Sequence, residues 1–258
     1  MRGMWFCSVV LAVVGAVGVV GCAETEPSSP RADESAFVSV TEVDPTIIVE
    51  ARYFGVHNFV GERIHGYEAA KCLLTKEAAG ALAEVQKELR PMGLGLKTYD
   101  CYRPQQAVNH FVAWAENLDN TRMKAEFYPT VEKSNLFKDG YIAEKSGHSR
   151  GSTLDLTIVA LPTADQEQYR DGDALRACTL PADQRFHDNS LDFGTGYDCF
   201  DPLAHTASPA PSGTQRALRE LLTNLMDEHG FTNLAEEWWH FTLQNEPFPN
   251  TYFDFPIR

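Results

Sequence analysis

Basic residues are scarce in this chain. Its 258 residues carry 22 Lys and Arg against 36 Asp and Glu, a formal net charge of −14. So acidic a surface repels phosphate backbones and anionic headgroups, which excludes nucleic acid and electrostatic adhesion to a membrane. Long apolar runs are missing too. The run at residues 9–20 is broken by Gly15 and Gly18 and is too short to span a bilayer. No Cys-x-x-Cys pair occurs, which removes the spacing of a cysteine-rich zinc module. Residues 23–43 are Glu, Ser, Pro and Ala with almost no large apolar side chain before Phe37, a composition that cannot bury a core.

What is present at the N-terminus reads as targeting. Arg2 followed by the apolar run makes residues 1–21 a signal peptide. The run ends Val19-Val20-Gly21-Cys22, which resembles a bacterial lipobox. Cleavage before Cys22 would leave that cysteine to carry a lipid, so the mature chain would be anchored to a membrane only through Cys22. Residues 22–43 then form a flexible tether. Residues 44–258, roughly 200 in number, suit one domain. Cys7 goes with the signal, and Cys72, Cys101, Cys178 and Cys199 remain. An even number in an exported chain points to two disulfides. Three connectivities are possible; pairing Cys72 with Cys101 and Cys178 with Cys199 closes two local loops and is the expected one.

Within the domain, residues 53–67 contain few periodic apolar positions and read as loop and short strand. Residues 75–90 form an amphipathic helix with Thr75 as N-cap and Ala78, Leu82, Val85 and Leu89 on one face. Residues 94–102 read as a strand running into Arg103-Pro104, and Pro104 opens a second helix to 118. Residues 120–139 are loop and short helix. Residues 212–230 are a third helix, capped by Ser212 and closed by Gly230. The stretch 163–193 is polar and acidic.

The chemistry concentrates in Ser146-Gly147-His148-Ser149-Arg150-Gly151-Ser152-Thr153-Leu154-Asp155 and in Glu237-Trp238-Trp239-His240. Gly151 suggests a tight turn. Leu154, Leu156 and Ile158 alternate with Thr153, Asp155 and Thr157, a half-buried strand with Asp155 on its polar face. His148 before the turn and Asp155 after it can converge on one ion. Glu237 and His240, three apart, would face opposite ways on a regular strand, so Glu237 is expected on a bend before one. Two imidazoles and a carboxylate suit a catalytic Zn²⁺ with an open fourth position, and leave Glu237 as general base. Each residue alone is commonplace; the combination carries the weight. His₂Asp with water would also accept other divalent metals.

These segments resemble the VanX-type D-alanyl-D-alanine dipeptidases, relatives of the D,D-carboxypeptidases and of the hedgehog fold. Their pattern, Ser-x-His-x-x-Gly-x-x-x-Asp followed by Glu-x-Trp-His, is complete here, and residues 53–67, 99–108, 194–205 and 247–258 look like further family segments. The resemblance implies an α+β domain, a small central antiparallel sheet flanked by helices with one zinc per chain at the sheet. The family usually crosses the gap at 163–193 in fewer residues, so the resemblance also implies an insertion there that could rim the site and alter the size of substrate taken. His148, Asp155 and His240 would hold the metal and Glu237 would move the proton. Arg103 would stabilise the oxyanion, as a fixed planar cation can. Tyr53, Tyr67, Ser146 and Asp198 would hold the dipeptide, with Asp198 opposite its ammonium. The implied reaction is D-Ala-D-Ala and water giving two D-Ala, with recovery from wall turnover fitting an exported enzyme. Two alternatives stand: a D,D-carboxypeptidase on stem peptides, which needs open space near Asp198, and a non-catalytic wall-binding module, which needs neither Glu237 nor Arg103. A purely structural zinc would predict unfolding on chelation.

Overall fold

The structure is a computed structural model that describes residues 34–258. The expected signal peptide and Cys22 lie outside the described residues. Among these residues no helix is long and apolar enough to cross a membrane.

In chain order the strands and α-helices are β1 (Phe37–Ser39), α1 (Val40–Val43), β2 (Ile48–Val49), β3 (Leu73–Thr75), α2 (Lys76–Leu89), β4 (Leu94–Asp100), α3 (Gln105–Glu116), α4 (Lys124–Phe127), β5 (Thr153–Ala160), α5 (Gly213–Glu228), β6 (Phe231–Asn233) and β7 (His240–Leu243). Five strands form the central sheet in the order β2-β4-β5-β7-β6, antiparallel except for the short parallel pair β2–β4. The expected α+β architecture is therefore present. β5 sits at its centre, with Asp155 opposite His240 on β7 and Asp100 on β4.

The helices form where the periodicity places them. Thr75 caps α2 by accepting from the Ala78 amide, and Ala78, Leu82, Val85 and Leu89 are buried on its inner face. Ser212 and Gln215 form a reciprocal capping box at the start of α5. One apolar cluster joins α2 and α5 to Leu154, Leu156 and Ile158 of β5. A second gathers α3, the 53–67 loop, Phe200 and the C-terminal Phe253 and Ile257.

Four expectations change. Residues 34–43, read as tether, belong to the fold: β1 pairs with β3, Val40 is fully buried, and the Phe37 ring packs edge-on against Tyr102, Phe253 and Phe255. Composition averaged over the stretch hid three apolar residues that all find partners. Second, β5 is buried on both faces, because residues 188–191 and 195–198 cover the side expected to meet solvent. Third, residues 163–193 do not rim the cavity described below. They lie behind it: Asp188 receives hydrogen bonds from Arg52 and Tyr99, Lys97 bonds Glu50 and the Asp188 carbonyl, and the Leu191 amide bonds the Ile158 carbonyl. Fourth, residues 53–67 contain a single 3-10 turn, Arg52–Phe54, and one bridge to Ile257 in place of a strand.

Candidate metal centre and active site

His148 lies on a 3-10 turn, Gly147–Arg150, whose cap is Ser146 accepting from the His148 amide. Gly151 ends the turn at φ 83°, and a Cβ there would sit 2.2 Å from the Phe37 ring, so both conformation and space demand glycine. The chain then enters β5, which presents Asp155. The third residue arrives from the far end of the sequence. Glu237 stands on a turn, and β7 starts only at His240, two residues later than the aromatic-rich pattern from Trp238 suggests; the turn is what lets the pair converge. Asn233 Nδ2 holds that turn by donating to the carbonyls of Glu237 and His240. Trp238 stacks on Phe193, and Trp239 packs edge-on against Tyr197.

Three donor atoms meet. His148 Nε2 lies 3.3 Å from His240 Nδ1 and 3.4 Å from Asp155 Oδ1, and His240 Nδ1 lies 3.1 Å from Asp155 Oδ1. Donors bound tetrahedrally at about 2.0–2.1 Å from a common ion stand roughly 3.3–3.4 Å apart, which is close to this spacing. Among the described residues these three are the side chains grouped closely enough to hold a metal. Among the described residues Asp155 Oδ1 is buried without a hydrogen-bond partner, an oxygen facing the two imidazole nitrogens. Charge points the same way. Burial opposes ionisation of Asp155, but His148 and His240 outweigh it and hold its carboxyl well below the usual range. Burial also lowers the His240 pKa, yet Asp155 and Glu237 beside it push the ring up to about 9. A proton is drawn in where a cation would sit, so the donor set fits a divalent metal.

The surroundings fix the donors. The His148 Nδ1–H donates to the Cys101 carbonyl at 2.7 Å, which leaves Nε2 as the lone pair facing the cluster. Tyr197 donates to Asp155 Oδ2 at 2.9 Å; burial and the nearby carboxylates raise its pKa, so it stays a donor. Glu237 Oε2 is 3.4 Å from His240 Nδ1 and opens onto the same space.

That space is a cavity of about 320 Å³. Tyr53, Arg103, Ser146, His148, Asp155, Asp198, Glu237 and His240 all line it, so eight of the nine expected site residues share it. Arg103 donates to Asp100 at 2.9 Å and reaches Ser146 Oγ at 3.4 Å. Asp198 is buried at φ 54°, left-handed for a non-glycine residue, and accepts from the Tyr53 hydroxyl at 2.8 Å. Burial, with Asp155 adding repulsion, raises the Asp198 pKa well above the carboxylate range. Tyr67 is the exception. It does not line the cavity; its hydroxyl turns onto Asp100, behind Arg103, because that buried carboxylate has more need of a donor than the cavity does.

Asp100 and Tyr197 are the residues that sequence reasoning missed. Asp100 receives Tyr67 and Arg103 and lies 3.4 Å from His148 Nδ1, while Tyr197 braces a candidate ligand. The i, i+3 spacing of Asp100 and Arg103 was the available signal. The cysteines fall into the expected pairs, Cys72 with Cys101 and Cys178 with Cys199, at Cα separations of 5.2 and 5.6 Å.

Known proteins are similar to this chain along most of its length. A curated D-alanyl-D-alanine dipeptidase of Streptomyces coelicolor is 37% identical over 221 residues, covering 86% of this chain and 98% of that protein. One from Enterococcus faecium is 32% identical over 225 residues, covering 87% of this chain and all of its own. One from Escherichia coli is 29% identical over 211 residues, covering 82% and 86%. The family model described as peptidase M15, D-Ala-D-Ala dipeptidase, matches residues 33–165 and 167–258, and this chain belongs to that peptidase family.

Proposed function

We propose that the protein is a zinc-dependent dipeptidase that hydrolyses D-alanyl-D-alanine to two D-alanine in the bacterial cell envelope. The observation that carries this is one cavity holding His148, Asp155 and His240 with their donors 3.1–3.4 Å apart, Glu237 beside them, and a buried Asp198. His148 Nε2, Asp155 Oδ1 and His240 Nδ1 would hold one zinc ion. Zinc in such a set supplies Lewis acidity, polarising a carbonyl and making a water acidic enough to lose its proton near neutral pH.

The remaining work falls to the chain's own groups. Glu237 takes the proton of the attacking water and returns it to the amine that leaves when the peptide bond breaks, so D-Ala-D-Ala and water give two D-Ala. Arg103, fixed by Asp100, faces the oxygen that gains charge; losing such a donor typically costs about 10²–10³ in rate. Asp198 and the Tyr53 hydroxyl receive the substrate ammonium, and Ser146 meets its carboxylate. An acid buried to that degree favours a free amino end over a continuing chain, which supports the dipeptidase reading over the carboxypeptidase one.

Purified protein lacking residues 1–22, offered D-Ala-D-Ala or a muramyl pentapeptide with and without a chelator, tests this. Chelator-sensitive release of D-Ala from the dipeptide alone is expected. Release from the pentapeptide would move the reading to a carboxypeptidase, and no release from either would leave a binding module. Export and lipidation rest on residues 9–20 and Cys22, with the two cysteine pairs supporting an oxidising compartment. An exported enzyme does not drain a cytoplasmic precursor pool, so the role that fits is recovery of D-Ala from wall turnover. Mass spectrometry of the mature protein checks it: an unlipidated Cys22 in a cytosolic chain would overturn the localisation.

A further inference from the structure

We propose that the two disulfides position the active site, beyond stabilising the fold: Cys72–Cys101 holds the segment that orients His148 and Arg103, and Cys178–Cys199 holds the turn that presents Asp198. The kinetic part of this inference rests on the dipeptidase reading; the metal-binding part does not.

Cys101 lies where β4 ends. The ladder with β5 is irregular between Thr98 and Asp100, and after Asp100 the chain leaves the sheet. Residues 101–103 are then held by the bond to Cys72, by the Tyr102 amide donating to the Leu73 carbonyl at 2.8 Å and the Arg103 amide donating to the His148 carbonyl at 3.3 Å, and by Tyr102, whose hydroxyl donates to the Phe255 carbonyl at 2.9 Å and whose ring packs on Phe37 and Phe255; the bond to Cys72 is the covalent member of this set. This short piece does much for the site. The Cys101 carbonyl sets the His148 tautomer, Asp100 anchors the guanidinium, and Arg103 projects into the cavity. Cys72 is a firm anchor: it is buried, its carbonyl accepts from the Val40 amide at 3.0 Å, and it leads directly into β3.

Cys199 directly follows Asp198, whose left-handed backbone persists only where its neighbours hold it. The turn 196–199 is closed on Cys178 at both ends. The Gly196 amide donates to the Cys178 carbonyl at 2.8 Å, and Cys199 bonds the Cys178 sulfur. Cys178 is fixed in turn by its amide to the Glu126 carbonyl at 2.9 Å, and the Phe200 amide bonds the Phe127 carbonyl at 2.8 Å. Tyr197, which braces Asp155, and Asp198, which meets Tyr53, are the two residues inside this clamp. Cys101 and Cys199 are thus positioning residues, acting through His148 and Asp198.

The two roles of a disulfide separate experimentally. One that only constrains the unfolded chain lowers Tm on removal and leaves the folded protein's affinities and rates intact. One that positions a metal ligand's partner also alters metal affinity, typically by about 10–100-fold when the partner is lost. The test compares Cys72→Ala/Cys101→Ala and Cys178→Ala/Cys199→Ala with the oxidised wild type, well below the Tm of each, by zinc titration of metal-free protein and by steady-state kinetics. For the first pair the expected result is a zinc affinity weaker by about 10-fold or more with a matching fall in kcat and little change in KM. For the second it is a KM raised about 10-fold, with zinc affinity changed less than in the first. Folded variants with wild-type zinc affinity, kcat and KM, and a lowered Tm alone, would overturn the proposal. Should a pair variant not fold, the wild type is reduced in the cold with a water-soluble phosphine. The phosphine becomes its oxide with oxygen from water while two protons and two electrons pass to each cysteine pair. Unchanged zinc affinity and unchanged KM, with intact near-ultraviolet dichroism, would then overturn it equally. If the oxidised wild type does not cleave D-Ala-D-Ala, the dipeptidase reading fails, and the zinc titrations still decide the role of Cys101.

Discussion

Asp155 and Asp198 lie in the same cavity, and their surroundings drive them in opposite directions. Asp155 has two imidazoles close by and is held ionised; among the described residues Asp198 has only the Tyr53 hydroxyl close enough to bond, and it is driven toward its neutral form. The cavity thus has one carboxylate supplied with positive partners and one still short of them, which is where a substrate ammonium gains most. The sign for stability follows from the raised pKa. In the metal-free, substrate-free fold, Asp198 costs nothing below its unfolded value of about 3.9 and weighs increasingly against the fold as pH rises toward its higher folded value. Asp198→Asn removes that cost. The variant is expected to melt at or above the wild-type Tm at pH 7 while its KM for D-Ala-D-Ala rises at least about 10-fold, since a charge-assisted contact is lost. A fall in Tm with KM unchanged would assign Asp198 to packing instead. At this scale the sequence made the chemistry of His148, Asp155, Glu237 and His240 legible because their residue types and spacings are those a metal site needs. It could not assign Tyr67, Tyr197 or Asp100, because which hydroxyl meets which carboxylate is settled by distances across strands far apart in the chain.

Elements were legible where a period or a cap repeats. α2 and α5 follow from their apolar spacing and from Thr75 and Ser212, and the bend before β7 follows from the conflict between a three-residue spacing and a two-residue strand period. β1 and the 163–193 segment were not, because nothing periodic marks three residues that pair with a distant strand or a loop that lies over a polar strand face. Leu82 measures how far α2 supports the sheet. It is fully buried, in the same apolar cluster as Leu154 and Leu156 of β5 and Leu222, Leu225 and Met226 of α5. Leu82→Ala is expected to cost about 2–5 kcal/mol of unfolding free energy, read by urea titration, because the lost methyl groups leave a cavity that two helices and a sheet cannot close. Turnover by the folded fraction should stay near wild type, as Leu82 does not line the cavity. A loss below about 1 kcal/mol would mean that α2 is packed more loosely than its burial indicates.

On the scale of the whole molecule the metal donors are borrowed from a fold that stands without them. Two apolar clusters, five sheet strands and two disulfides close around the site, and neither imidazole belongs to the apolar clusters or the disulfides; His240 enters the sheet through its backbone alone. Loops of the size these disulfides close are worth about 3–4 kcal/mol each in the chain-entropy picture. A bound metal adds stability by mass action, about 4 kcal/mol when the free ion is at 1,000 times its Kd. In a domain of this size 1 kcal/mol moves Tm by about 2–4 °C. Chelation is therefore expected to abolish D-Ala release and lower Tm by roughly 10 °C, while far-ultraviolet dichroism at 25 °C stays that of the folded protein and added zinc restores activity. Removing the ion also exposes the charge imbalance it masked. His240, held up to about 9 by Asp155 and Glu237, then carries a proton in its place at neutral pH, which spares the buried Asp155 from standing alone and is a physical reason for the metal-free fold to persist. Collapse of the secondary structure on chelation would instead make the ion structural, and would break the link drawn here between an open metal position and catalysis.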